Sequence, residues 1–114
     1  MNKLQNELLK FAELRDWDQF HTPKDLAISV SIEAAELLDI FQWRDQSDPV
    51  TDEEKASIAS EVADIGQYLL LLCAKADIDF EHAIRAKLAK NKVRFPIKTA
   101  KGIAKPVDQT RPLK

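Results

Sequence analysis

Apolar residues recur at spacings of three and four from the start of the chain. Leu4, Leu8, Phe11 and Leu14 fall on one stripe of a helix expected over about Leu4 to Arg15. The polar stretch DWDQFH interrupts it. Thr22-Pro23-Lys24-Asp25 then supplies an N-cap hydroxyl, a proline at the first helical position and an acid to close a capping box. A second helix is expected from near Pro23 through DLAISVSIEAAELLDIFQW to about Trp43, where RDQSDPV breaks the period. Thr51-Asp52-Glu53-Glu54 repeats the capping logic, with acids where the helix dipole favours them, and the third helix continues to about Ala76. After a short turn over Asp77 to Asp79, a fourth helix spans about Phe80 to Arg94. Its basic C-terminal end suits the dipole, and Pro96 stops it. From Ile97 onward no period survives, and this stretch is expected to be loosely attached. The predicted fold is all-α, a four-helix bundle.

Carboxylates stand where a core should be. Glu33 lines up with Leu26, Val30, Leu37 and Ile40, and Glu36 with Ile32, Ile40 and Trp43, so both acids interrupt apolar stripes of helix two. Glu61 and Asp64 do the same on helix three, in line with Ile58, Ile65, Tyr68 and Leu71. One such pair alone reads as a solvated helix face. Two pairs on consecutive helices are costly unless a cation compensates, because a desolvated carboxylate takes up a proton or needs a partner. The ligands are all oxygen, with no cysteine pair and no histidine at a helical offset from them. That excludes an ordinary structural zinc site and the Glu-x-x-His pattern of di-iron bundles, and favours Mg²⁺ or Mn²⁺.

Lys87, Asn91 and Arg94 form one stripe of donors suited to phosphate oxygens, although a basic last turn is also what any helix end prefers. Trp17, Trp43 and Tyr68 are aromatic residues near the acidic motifs in sequence. Trp17 is the least core-like of them because it lies between Asp16 and Asp18 in a polar loop.

Composition narrows the function classes. A chain of 114 residues holds one domain at most. Gly 2 and Pro 5 leave little material for hairpins, which agrees with helices. Lys+Arg 17 against Asp+Glu 19 gives a net charge of −2, with no basic surplus to drive binding to nucleic acid or to an anionic membrane surface. The one cysteine, Cys73, cannot form an internal disulfide, MNKLQNELLK lacks the core of a signal peptide, and no apolar run approaches a bilayer span. A cytoplasmic protein is expected. Leu69 to Leu72 point in all directions around helix three, more apolar surface than one small bundle covers, so a homo-oligomer is expected as well.

In order along the chain, RDWDQFHTPKDL, IEAAELLDIFQW, EVADIGQYLLLL and KLAKNKVRFP resemble the MazG-like nucleoside triphosphate pyrophosphohydrolases, in particular their short dCTP-pyrophosphatase-type members. The resemblance rests on E-x-x-E followed on the next helix by E-x-x-D, on FQW, and on the K-x-x-x-N-x-x-R-F-P ending. It covers about Leu4 to Lys105 and implies a MazG-like domain over residues 1–105 with a flexible tail over 106–114. It further implies a four-helix bundle completed as a dimer or a dimer of dimers. The implied activity is Mg²⁺-dependent hydrolysis of NTPs or dNTPs, such as dCTP, to monophosphate and pyrophosphate. Carried over residue by residue, Glu33, Glu36, Glu61 and Asp64 would ligate metal, and Lys87, Asn91 and Arg94 would contact phosphates. Trp17, Trp43 and Tyr68 would enclose base and sugar. Two departures stand out: Leu8 occupies the place of a histidine found in some dCTP-type relatives, and PVDQTRPLK replaces the usual ending.

The chemistry expected of such a site is attack of an activated water on the α-phosphorus, with Glu36 the first choice for a dual role as ligand and base. No G-x-x-x-x-G-K-[ST] loop is present to present a γ-phosphate. The rival readings are a metal-dependent nucleotide-binding or sensing helical oligomer without turnover and a purely structural helical oligomer.

Overall fold

The computed structural model describes residues 2–104. Five helices follow in order, α1 (Lys3–Leu14), α2 (Pro23–Asp39), α3 (Asp52–Lys75), α4 (Phe80–Arg94) and α5 (Ile97–Ala100), with a 3-10 turn at Asp18–Phe20 between the first two. No strand occurs among the described residues. The chain divides into two compact units, one ending at Asp79 and one beginning at Phe80.

Caps set the boundaries in the first unit. Asn2 and Gln5 form a full capping box at α1, and Thr51 and Glu54 form another at α3. At α2 only half the box forms: Asp25 N–H donates to Thr22 Oγ1 at 3.1 Å. The sequence period carries α2 to Trp43, but the regular helix ends at Asp39. Beyond it the ladder tightens to i→i−3 bonds, with Phe41 N–H donating to Leu38 O at 2.9 Å and Arg44 N–H to Phe41 O at 3.1 Å. Arg44 then turns the chain away, donating to the carbonyls of Asp48 and Pro49 while its Nε pairs with Glu54 at 3.2 Å.

Packing in this unit is built on α3, against which α2 and α1 lie. Its core is small: Ala12 from α1, Leu26 from α2, and Leu70, Leu71 and Cys73 from α3. The face that α1 buries is rotated from the one its leucines predict. Leu4, Phe11 and Leu14 are exposed, and the buried residues are Gln5 and Ala12. Gln5 tolerates this because its Nε2 donates to the Leu70 carbonyl at 3.0 Å. By length and composition alone α3 passes for a bilayer-spanning helix. Glu61 and Asp64 stand in its middle, however, and it packs against α2.

In the second unit α4 carries the i,i+4 pair Glu81–Arg85, and Phe95 N–H donates to Asn91 O at 2.8 Å to close its end. Ile97–Ala100, expected to lack regular structure, forms the single turn α5, ended near Gly102 at φ 79. The tail expected over 106–114 lies outside the described residues.

Candidate metal centre

Leu26, Val30, Glu33, Leu37 and Ile40 form the inward stripe of α2, running from the 1 % exposed Leu26 through half-buried positions. On α3 the stripe Ile58, Glu61, Asp64 or Ile65, Tyr68 and Leu71 is half-buried and ends in the core at Leu71. Packing these two stripes together brings Glu33, Glu61 and Asp64 into one cluster, with one ligand atom from each within 4.8 Å of the others.

The cluster is electrostatically frustrated. Glu33 Oε2 and Glu61 Oε2 are buried without a hydrogen-bond partner among the described residues. Burial, followed by the adjoining carboxyl groups of Glu36, Asp64 and Glu61, raises the Glu33 pKa from its ordinary 4.5 to about 7. Orphaned carboxylate oxygens held this close fit a divalent cation, which satisfies the lone pairs and offsets the repulsion. An all-oxygen donor set belongs to hard cations. The donors therefore suit the metal that the sequence suggests.

Glu36 stands apart from the three. It is exposed, on the side of α2 that includes the exposed Ile32, yet close enough to Glu33 to raise its pKa. The expectation that it interrupts a core stripe fails because a step of three residues along α2 turns it to the edge of the inward face. Tyr68, one turn beyond Asp64, is half-buried on the same face of α3.

The two tryptophans sit on the loops that flank α2. Trp17 is 47 % exposed and meets Phe11 edge-on, ring centroids 5.8 Å apart at 69°. Trp43 is 91 % exposed, off the end of the regular helix. Each immediately precedes a residue ion-paired to α3: Asp18 with Lys75 in its last turn, Arg44 with Glu54 in its first. Those anchors are about 30 Å apart along the helix axis. Sequence reading flags neither pair, because partners joined across a fold leave no periodic trace. Lys87, Asn91 and Arg94 lie on α4, in the second unit, where Arg94 stacks its guanidinium 5.0 Å from the centre of the Phe95 ring.

The sequence model of the MazG-like family matches residues 28–109. That stretch takes in all the carboxylates of the cluster and leaves out α1 and Trp17. The chain is 33 % identical over 99 residues to dCTP pyrophosphatase 1 of Rattus norvegicus, covering 83 % of this chain and 58 % of that protein. It is likewise 33 % identical over 96 residues to the Homo sapiens protein, covering 81 % and 56 %. It thus spans a little over half the length of these curated relatives. A solved structure of a pyrophosphatase from Archaeoglobus fulgidus superposes with a TM-score of 0.74 at 42 % identity, covering 82 % of this chain and 90 % of that one. With the acids of both motifs meeting on a helical pair and the family pattern running through them, the chain belongs to the MazG-like family.

Proposed function

We propose that this protein is a nucleoside triphosphate pyrophosphohydrolase, acting on dNTPs such as dCTP and yielding monophosphate and pyrophosphate. The observation that carries the reading is the triad Glu33, Glu61 and Asp64 with its orphaned buried oxygens. Support for the reaction class comes from relatives named dCTP pyrophosphatase 1 and a neighbour named pyrophosphatase.

Glu33, Glu61 and Asp64 would hold Mg²⁺, with Mn²⁺ an alternative, and Glu36 at their edge would complete the set. When bound, the cation supplies charge neutralisation at the phosphates and acidifies water. Glu36, exposed beside the ligands, would take the proton from the attacking water. Trp17, Trp43 and Tyr68 would enclose base and sugar, and Lys87, Asn91 and Arg94 would hold the outer phosphates, so that the bond broken lies between the α- and β-phosphorus. The balance is one water consumed for each monophosphate and pyrophosphate released.

The working form would be a cytoplasmic homo-oligomer, a dimer or a dimer of dimers. Leu4, Phe11, Leu14, Ile28, Ile32 and Val62 are all about half exposed or more, a surface too apolar for one small chain to leave in water. The test is pyrophosphate release across the eight common NTPs and dNTPs, with and without Mg²⁺. Metal-dependent release from at least one substrate, lost in Glu61→Gln, is the expected result. Tight nucleotide binding without product would favour a sensing module instead.

A further inference from the structure

Seven residues separate the end of α1 from the cap of α2, and their conformation is held at several points. Trp17 N–H donates to Ala12 O at 2.9 Å, closing α1, while Asp16 takes a left-handed φ of 56. Gln19 Nε2 donates to both the carbonyl and a carboxylate oxygen of Asp16 at 3.0 Å. Phe11 has the Arg15 guanidinium 3.6 Å from its ring centre and meets Trp17 in an edge-to-face pair. All of these contacts are local to α1 and the loop. The ion pair of Asp18 with Lys75, a lysine whose side chain is only 25 % exposed, ties the loop directly to the helix carrying Glu61 and Asp64.

We infer that Lys75 and Asp18 are positioning residues for nucleotide selection: their ion pair fixes the Trp17 indole relative to the α3 carboxylates. The inference rests on the reading of Trp17 as a base-contacting residue. A basic residue in the last turn of a helix ordinarily serves the dipole. Lys75 instead reaches a carboxylate 57 residues earlier in the chain, adjacent to an exposed tryptophan. With the pair broken, the loop keeps its local bonds and its attachment to α1, which packs on α3, but loses its direct tie to the end of α3. The indole then samples more orientations, and substrate pays the cost of ordering it. The carboxylate cluster is untouched, so the chemical step is unaffected.

Arg44 with Glu54 is the matching device beside Trp43. Arg44 also satisfies two loop carbonyls, so its removal mixes several effects, and the test uses Lys75.

Two readouts are needed. The chain has two tryptophans, so Trp43→Phe leaves Trp17 as the sole indole and its acrylamide quenching reports the loop directly. In that background Lys75→Met and Asp18→Asn should each increase Trp17 quenching. Lys75→Arg should restore it, and the double variant should be no worse than either single one. In the chain with Trp43 intact, Lys75→Met should raise KM for the preferred nucleotide roughly two- to fivefold with kcat within about a factor of two. Unchanged quenching, or changed quenching with unchanged KM, overturns the inference. So does a parallel fall of kcat and melting temperature that Lys75→Arg does not rescue. If no nucleotide is turned over by the wild-type chain, it is the proposed function that fails, and the quenching series still decides whether the pair holds Trp17.

Discussion

Glu33 is the residue on which burial and neighbouring charge act most strongly. Unfolded, it titrates near 4.5, and folded near 7, so between these values the folded chain binds the proton more tightly. Ionising Glu33 therefore works against folding, and the metal-free protein should lose stability as pH rises across that window. Melts in chelator from about pH 5 to about pH 7 should fall more steeply for the wild type than for Glu33→Gln, which has nothing to ionise there. Equal slopes would show that Glu33 is not crowded. Mg²⁺ held there as proposed would favour the ionised carboxylates, so its stabilisation should grow over the same range. Asp64→Asn and Glu36→Gln should each lower turnover by about a hundredfold or more while the protein stays folded. Without metal, Asp64→Asn should melt no lower than wild type, because one repelling charge is gone. Near-normal activity of either variant at low Mg²⁺ would remove that residue from the machinery. Glu33, Glu36, Glu61 and Asp64 were legible as one group of candidate ligands because each interrupts an apolar stripe. The different standing of Glu36 was not, since its stripe turns outward and Trp43 leaves the helix.

At the scale of elements, polar caps carried most of the legible information. Thr51 and Pro23 announce α3 and α2 at the residues where they begin, because side-chain hydroxyls and proline act within one turn. The end of α2 was hidden because the chain leaves the regular helix at Asp39 through i→i−3 bonds over Ile40 to Gln42, with no glycine or proline in the period to mark it, and the Arg44 contacts that order the following loop are set by folding. The buried side of α1 was likewise hidden: Gln5 is polar by type and enters the core only because the Leu70 carbonyl meets it. Thr51→Ala should cost about 1 kcal/mol of stability, since the side chain satisfies the Glu54 N–H and the box returns the bond. Denaturant unfolding checks this, and a change well under half that size would mean that the cap is replaced by water. Glu54 adds a pH signature of opposite sign to Glu33. The Thr51 N–H holds its carboxyl below the ordinary value against some burial, helped by the Thr51 hydroxyl and the Arg44 charge. Its contribution is present above the unfolded pKa and is lost on acidification through the folded one.

The molecule as a whole leaves more apolar surface uncovered than its small core justifies. Phe11, Leu14 and Ile32 are 48 %, 70 % and 53 % exposed in the single chain. Light scattering at micromolar concentration should therefore give a multiple of 12.9 kDa, and Leu14→Glu should shift the population toward smaller species. A wild-type monomer would contradict this account of the exposed face. The excess expected at Leu69 to Leu72 is not where the open surface lies, because Leu70 and Leu71 are buried within the single chain and Leu69 and Leu72 half-buried; which helix faces remain open depends on how α1 turns, which no period announces. In the proposed reaction, carboxylates from α2 and α3 direct water to the α-phosphorus of a nucleoside triphosphate. Turnover in ¹⁸O-labelled water with Mg²⁺, read by the isotope shift in ³¹P spectra of the products, tests it most directly. Label is expected in the monophosphate, with the pyrophosphate unlabelled. Labelled pyrophosphate, or labelled orthophosphate released beside an unlabelled diphosphate, would place the attack on another phosphorus and contradict it.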